Sequence, residues 1–138
     1  MPELNVLVVD DEPAIRQVLS AAISKAGYAV EAVGSAAEAL VRLDRGAVDV
    51  VLSDVFMPVI DGIELLRQAR ARGHAATFIM VTAFASVDSA IDAIKAGAWD
   101  YITKPVRNEE ILHRLEQIDA LRGLREEHRA LRSLVMGR

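Results

Sequence analysis

VDVVLSDVFMPVIDG, residues 48–62, is the stretch whose reading sets the architecture. Val48, Val50, Val51 and Leu52 form an apolar run, rich in β-branched residues and short enough for a strand buried on both faces. The run ends in Ser53 and Asp54. Open α/β sheets bind ligands in the crevice outside the C-terminal ends of their parallel strands, so a carboxylate there is the first candidate for chemistry. A plainer role is also open to Asp54: aspartate favours turn starts, and Met57-Pro58 and Asp61-Gly62 follow it.

Working outward, both flanks repeat the pattern. Residues 5–9 (NVLVV) predict a buried strand that ends at Asp10, Asp11 and Glu12, with Pro13 opening a helix. Pro suits the first helical position and Asp the cap, so Asp11 has an N-cap role open to it alongside any chemical one. That helix runs to about residue 26, carrying Ile15, Val18, Leu19, Ala22 and Ile23 at three-and-four spacing, and Gly27 stops it. Residues 28–33 predict a second strand. Ser35 then caps a helix that turns Ala36, Ala39, Leu40 and Leu43 inward and stops at Gly46. Beyond Gly62 a helix carries Ile63, Leu65, Leu66 and Ala69, with Arg67, Arg70 and Arg72 toward its C-terminal end, where the macrodipole favours cations. Residues 77–81 predict a fourth strand, ending at Thr82. Ser86 caps the next helix, which has Val87, Ala90, Ile91 and Ile94 on one face and closes at Gly97. Residues 99–103 predict a fifth strand, followed by Lys104-Pro105 and a long final helix from about residue 108.

Five β-α repeats predict an α/β domain: a doubly wound parallel sheet with right-handed crossovers and helices on both faces. All C-terminal strand ends then share one edge. Asp10 and Asp11 follow strand one, Asp54 ends strand three, Thr82 strand four and Lys104 strand five, so three carboxylates, a hydroxyl and an ammonium converge. Two carboxylates about 5 Å apart repel by roughly 3 kcal/mol at an effective dielectric near 20. Three together require protonation or a counter-charge. The ligands are oxygens, with no Cys in the chain and no His at these strand ends. Mg2+ fits such a set better than zinc, because it takes carboxylates, retains waters and meets phosphate oxygens. Lys104 supplies a cation and Thr82 a hydroxyl for phosphoryl oxygens. Mg2+ offsets the charge that would otherwise keep a carboxylate from attacking an anionic phosphorus.

Length and composition bound the remaining possibilities. At 138 residues the chain is one domain, which buries roughly two thirds of the surface its unfolded form exposes. A hydrophobic fraction of 52% beside 26% charged residues is that of a soluble globular protein, and the lack of Cys excludes disulfides and thiolate metal sites. Residues 1–6 (MPELNV) hold no basic-then-apolar leader, and no apolar run nears the roughly 18 residues of a membrane helix. The expectation is a cytoplasmic protein without membrane contact. The net charge of −4 is uneven: residues 1–103 hold 8 Lys/Arg against 14 Asp/Glu, and residues 104–138 hold 8 against 6. No concentrated basic face results, so direct nucleic-acid binding by this segment is not expected.

The runs VVDDE (residues 8–12), SDVFMPVIDG (53–62), VTA (81–83) and YITKP (101–105), in this order and on these strand ends, resemble the receiver domain of two-component response regulators. The resemblance covers residue 4 to about residue 120 and implies a flavodoxin-like (βα)5 sheet in the strand order 2-1-3-4-5. It implies that Asp54 takes a phosphoryl group from a phosphohistidine on a sensor histidine kinase or a histidine phosphotransfer protein. Asp11 would bind Mg2+ directly and Asp10 directly or through water, with Asp54 and the backbone carbonyl of Phe56 completing the protein ligands. Lys104 would pair with the phosphoryl group, with a cis bond to Pro105. Thr82 and the backbone N–H of Ala83 would take the remaining phosphoryl oxygens. Such a protein is a regulatory phosphoacceptor and not an enzyme beyond assisting its own phosphorylation and slow dephosphorylation. Thr82 would then move toward the phosphoryl group and Tyr101 swing inward, altering the surface of helix four, strand five and helix five. The plainer reading of Tyr101 is an amphipathic ring half-buried against helix four. Phe56 and Phe84, two residues after Asp54 and Thr82, lack an amide or carboxylate to orient an attacking water. Slow hydrolysis of the acyl phosphate follows, and rings that merely cover the crevice would act in the same direction.

The last helix is longer than a receiver needs. Ile111, Leu115 and Ile118 suit packing on the domain, whereas Leu121, Leu124, His128, Leu131 and Val135 follow a short heptad seam, weakened by Gly123 and His128. Residues 1–120 are therefore read as the receiver and 121–138 as a helical linker that contributes to a homodimer with helix four, strand five and helix five. The EEHRALRSL run, residues 126–134, is similar to the linker of nitrogen-regulatory-type regulators that activate sigma-54 polymerase; no P-loop pattern is present. Two other functions are consistent with parts of the pattern. A magnesium-dependent phosphohydrolase with an aspartyl nucleophile would carry a second Asp where Phe56 stands, and a dimerisation module independent of phosphate would not need Asp10, Asp11, Asp54, Thr82 and Lys104 together.

Overall fold

The computed structural model describes residues 4–136, with side-chain surroundings through residue 124. Five strands and five helices alternate: β1 Asn5–Val9, α1 Pro13–Lys25, β2 Ala29–Val33, α2 Ala36–Asp44, β3 Val50–Ser53, α3 Gly62–Ala71, β4 Thr77–Thr82, α4 Val87–Lys95, β5 Asp100–Thr103 and α5 Asn108–Met136. The strands form one parallel sheet in the order β2-β1-β3-β4-β5, as expected. The order steps outward in both directions from β1 and β3, and the crevice between those two strand ends is the switch point where such sheets place a ligand.

Side chains alternate across the sheet with period two, which makes two cores. Val6, Val8, Val50, Leu52, Ile79, Val81 and Ile102 face α1 and α5, meeting Leu19, Ile23, Ile111, Leu115 and Ile118. Leu7, Val9, Val51, Phe78 and Met80 face α2, α3 and α4, meeting Leu40, Leu43, Leu65, Leu66 and Ala93. Both faces of β1, β3 and β4 are thus covered, which is why these strands read as unbroken apolar runs. Edge strand β2 is largely exposed. The helix starts follow local chemistry: Ser35 Oγ accepts from Glu38 N–H, Asp61 Oδ1 from Glu64 N–H, and Ser86 and Ser89 form a reciprocal capping box.

Three local readings change. Asp11 does not cap α1; Glu12 holds the cap position without a side-chain bond, and Asp10 Oδ1 accepts the Glu12 N–H at 2.9 Å. Val18 stands outside the core at 58% exposure, because only Leu19 and Ile23 of α1 turn fully onto the sheet. On α4 the aliphatic face of Val87, Ile91 and Ile94 points to solvent, and the one buried residue of that helix is Ala93. Helix α5 crosses residues 120–121 without a break. Ile111, Leu115 and Ile118 are buried as expected, while Leu121 and Leu124 are exposed. His128, Leu131 and Val135 of the seam lie outside the residues whose side chains are described. No described helix is long and apolar enough to cross a membrane.

Candidate functional site

The site grows from the ends of β1, β3 and β5. Beyond Val9 the ladder persists for one residue on each side of β1: Asp10 N–H donates to Val33 O at 3.2 Å and Asp54 N–H to Val9 O at 2.9 Å. This pins both carboxylate-bearing residues at the sheet edge. Asp10 Oδ1 then turns the chain into α1 through the Glu12 N–H. Below Asp54, Ser53 Oγ donates to the Asp54 carbonyl at 2.9 Å, and Gly62 N–H closes the β3–α3 loop onto Val55 O at 2.8 Å. A Cβ on Gly62 would stand 2.0 Å from the Asp54 carbonyl oxygen, so only glycine lets α3 start this close to the site.

These constraints gather the charged groups. Carboxylate oxygens of Asp10, Asp11 and Asp54 lie within 4.8 Å of one another, Asp10 and Asp54 buried and Asp11 exposed. Lys104 reaches in from the end of β5, its Nζ donating to Asp10 Oδ2 at 2.8 Å and to Asp54 Oδ2 at 3.2 Å. Its backbone N–H donates to Thr82 O at 2.8 Å, and the Lys104–Pro105 bond is cis, as expected. Burial of Lys104 works against its charge, yet the hydrogen bond to Asp10 and the fields of Asp54 and Asp10 outweigh it and hold the ammonium above the usual lysine range. Phe56 N–H donates to Asp54 Oδ1 at 3.2 Å. One ammonium thus faces three carboxylates, two of them out of water. The donor set is oxygen only, closely spaced and under-neutralised, which suits a hard divalent cation.

The remaining predicted residues take distinct places. Thr82 is fully buried at the end of β4, and its Oγ1 accepts the Phe84 N–H at 3.2 Å. Ala83 follows it at the surface. Phe56 and Phe84 meet edge to face, ring centroids 6.2 Å apart at 78°, as an exposed aromatic pair formed by the loops after β3 and β4. Tyr101 lies opposite Met80 on β5, half-buried against the α2–α4 core, and its hydroxyl hydrogen-bonds Ser89 Oγ on α4.

Two side chains escaped the sequence reading. Ser89, a hydroxyl three residues after the Ser86 cap, carries a capping-box signal that the aliphatic periodicity of α4 does not include. Arg16, in the first turn of α1, sends Nη1 to the Asp10 carbonyl at 2.7 Å. It is half-buried, and the aliphatic periodicity of α1 carries no signal for its backbone partner.

Comparison with known proteins agrees with this geometry. The sequence model of the response regulator receiver domain matches residues 6–116. The response regulator MprA of Mycobacterium leprae (strain TN) is 37% identical over 115 residues, which cover 83% of this chain and 50% of the relative. The chain therefore spans about half the length of the curated relatives it matches. The Vibrio cholerae chemotaxis protein CheY4 superposes with a TM-score of 0.79 at 32% identity, covering 84% of this chain and 98% of that one. A CheY-like receiver domain protein of Methanospirillum hungatei JF-1 gives 0.80 at 32% identity, covering 85% and 94%. Sequence, sheet order and acidic crevice thus lead to one conclusion: the chain belongs to the response regulator receiver domain family of two-component signalling.

Proposed function

We propose that Asp54 is the phosphoacceptor and that the crevice around it carries out Mg2+-dependent phosphoryl transfer from a phosphohistidine. The observation that carries this reading is the shared ammonium: Lys104 bonds Asp10 and Asp54 at once, with Asp11 in the same acidic group. An Asp54 oxygen attacks phosphorus, the phosphorus–nitrogen bond of the phosphohistidine breaks, and the imidazole leaves with the electron pair and is protonated. Asp10, Asp11, Asp54 and the Phe56 carbonyl would hold Mg2+, which supplies charge neutralisation at the phosphoryl oxygens. Lys104, already positioned on Asp54, transfers its hydrogen bonds to the incoming phosphoryl oxygens. Thr82 and the Ala83 N–H take the others, once the Thr82 hydroxyl gives up Phe84. An open apolar groove of about 380 Å3 beside Lys104, lined by Ile15, Val18, Leu19, Pro105 and Val106, offers a docking face for the donor protein.

Output follows through β5 and α4. Tyr101 is tied to Ser89 at the start of α4, so a movement of Thr82 and Tyr101 is transmitted to the helix whose aliphatic face is uncovered. In this reading a homodimer forms through α4, β5 and α5, with residues 121–138 as a linker beyond the receiver of residues 1–120. It controls an output domain, with transcription as the controlled process. The segment itself neither binds nucleic acid nor acts as an enzyme, and it works in the cytoplasm. The phosphohydrolase alternative is disfavoured by Phe56, an apolar residue where a second acid would be needed. The test is incubation with a small phosphodonor and Mg2+, followed by intact mass and size-exclusion chromatography. One phosphoryl group should be gained by the wild type and none by Asp54→Asn; a gain by Asp54→Asn refutes the assignment.

A further inference from the structure

Arg16 is the one cation, besides Lys104, that touches the backbone or side chains of the acidic crevice among the described residues. Its Nη1 donates to the Asp10 carbonyl at 2.7 Å. That carbonyl lies just past Val9, the last ladder residue of β1, where sheet donors run out. The contact is guarded from the other side. A Cβ placed on Gly34, in the turn between β2 and α2, would meet the same Arg16 Nη1 at 3.0 Å and the guanidinium carbon at 3.5 Å. Gly34 is itself held by Glu38 Oε2, which accepts its N–H at 2.9 Å. The guanidinium is therefore seated between the β2–α2 turn and the peptide that carries Asp10 and leads into Asp11.

We infer that Arg16 is a positioning residue for the metal site, fixing the Asp10–Asp11 peptide from behind through a guanidinium seat that Gly34 leaves open. The inference rests on the assignment of Asp10, Asp11 and Asp54 as Mg2+ ligands. Arg16 touches no ligand oxygen; it acts on the backbone from which two ligands project. A planar guanidinium holds a carbonyl and packs against a turn at once, which a lysine ammonium cannot do from the same position. Groups that orient metal ligands from behind contribute tenfold or more to affinity in other metal sites. The positive charge by itself opposes a cation, so charge and geometry predict opposite effects when Arg16 is neutralised.

The test is titration of the metal-free protein with Mg2+ alone, followed by the amide resonances of residues 10–12, for the wild type, Arg16→Lys, Arg16→Met, Gly34→Ala and the Gly34→Ala/Arg16→Met double variant. Melting without metal confirms that each variant is folded. Both Arg16 variants should bind Mg2+ about tenfold more weakly, and Gly34→Ala should lose less. Gly34→Ala should add nothing in the Arg16→Met background, since the contact it disturbs is gone. At saturating Mg2+ the rate of phosphorylation by a small phosphodonor should return to that of the wild type. Unchanged Mg2+ affinity in both Arg16 variants overturns the inference. So does tighter binding by Arg16→Met alone, which would mean that only charge matters, or a Gly34→Ala effect that persists without Arg16. If the wild type itself shows no Mg2+ response at residues 10–12, the ligand assignment falls and this inference with it.

Discussion

Adding Mg2+ to the metal-free protein tests the acidic crevice most directly. Carboxylate oxygens of Asp10, Asp11 and Asp54 stand within 4.8 Å of one another, and at an effective dielectric near 20 each pair at that distance repels by roughly 3.5 kcal/mol. Lys104 offsets this for Asp10 and Asp54, which it bonds. Asp11 has no described cation partner, so the native state carries repulsion that the unfolded chain does not. A cation bound by the folded form alone stabilises it by about 1.4 kcal/mol at ten times its dissociation constant. For 138 residues the unfolding entropy is roughly 290 cal/mol/K, so the melting midpoint should rise by about 5 °C. The assay is a series of circular dichroism melts in which Mg2+ replaces Na+ at constant ionic strength, so that general screening is held fixed. Asp11→Asn should melt at or above the metal-free wild-type midpoint, because it removes repulsion, and should lose most of the Mg2+ response. A wild type that gains nothing from Mg2+, or an Asp11→Asn variant that gains as much as the wild type, refutes the reasoning.

Three further outcomes follow from particular residues. Val59 is fully exposed with φ of +70°, in a tight turn closed by Ile60 N–H donating to Pro58 O at 2.9 Å. A β-branched residue in the left-handed region costs about 1–2 kcal/mol, so Val59→Gly should raise stability to urea by about 1 kcal/mol after the entropy glycine adds to the unfolded chain; a less stable glycine variant refutes the strain. The aromatic pair Phe56–Phe84 offers no group to orient water, so replacing Phe56 by Asn or Phe84 by Glu should shorten the lifetime of the phosphoprotein by about tenfold or more. A wild-type half-life of seconds would count against this. Finally, Lys104 is held above its ordinary range. A raised folded-state value means that its stabilisation is complete below the unfolded pKa and is lost as pH rises through the folded one, so metal-free stability should fall in the alkaline range above about pH 10.4. Tyr28 is also raised, by burial first and then by Asp119 and Glu116, so its ionisation too weakens the fold on the alkaline side. The measurement therefore compares Lys104→Met with the parent in a Tyr28→Phe background, where the alkaline decline should disappear.

The sheet was legible because burial on both faces writes β1, β3 and β4 as contiguous aliphatic runs, and because a parallel order brings every strand end to one edge. That logic alone places Asp10, Asp11, Asp54 and Lys104 together, which they are. What spacing cannot supply is the direction in which a helical face points. On α4 two opposite stripes compete: the aliphatic one of Val87, Ile91 and Ile94, and a small one of Ser89, Ala93 and Ala96. The small stripe takes the sheet, since its short side chains let the helix approach Tyr101 and Ala98 closely, and the larger one is left outside. Val18 was misplaced for a related reason, since α1 buries a stripe only as wide as Leu19 and Ile23. Arg16 was out of reach of any periodicity argument, because its partner is a backbone carbonyl supplied by the end of a strand six residues earlier.

The uncovered face of α4 bears on the proposed switch. A helix that fully buries only Ala93 has little side-chain hydrogen bonding to the sheet beyond the Ser89–Tyr101 pair, since its capping box is internal to its own first turn. Covering Val87, Ile91 and Ile94 would contribute roughly 1.5–3 kcal/mol for each side chain fully removed from water. Val87, Ile91 and Ile94 are 75%, 46% and 53% exposed, so about 1.7 side chains' worth remains to be covered, roughly 3–5 kcal/mol, a large part of the roughly 5.5 kcal/mol needed to move a two-state equilibrium from one part in a hundred to ninety-nine. The energy available outside the domain therefore exceeds what a single buried alanine supplies inside it. In the proposed switch, a small displacement of α4 driven through Tyr101 and Ser89 would change how well that face can be covered. On the proposed switch, phosphorylation at Asp54 would need only to bias the position of one weakly held helix, and a partner covering the face would provide most of the free energy.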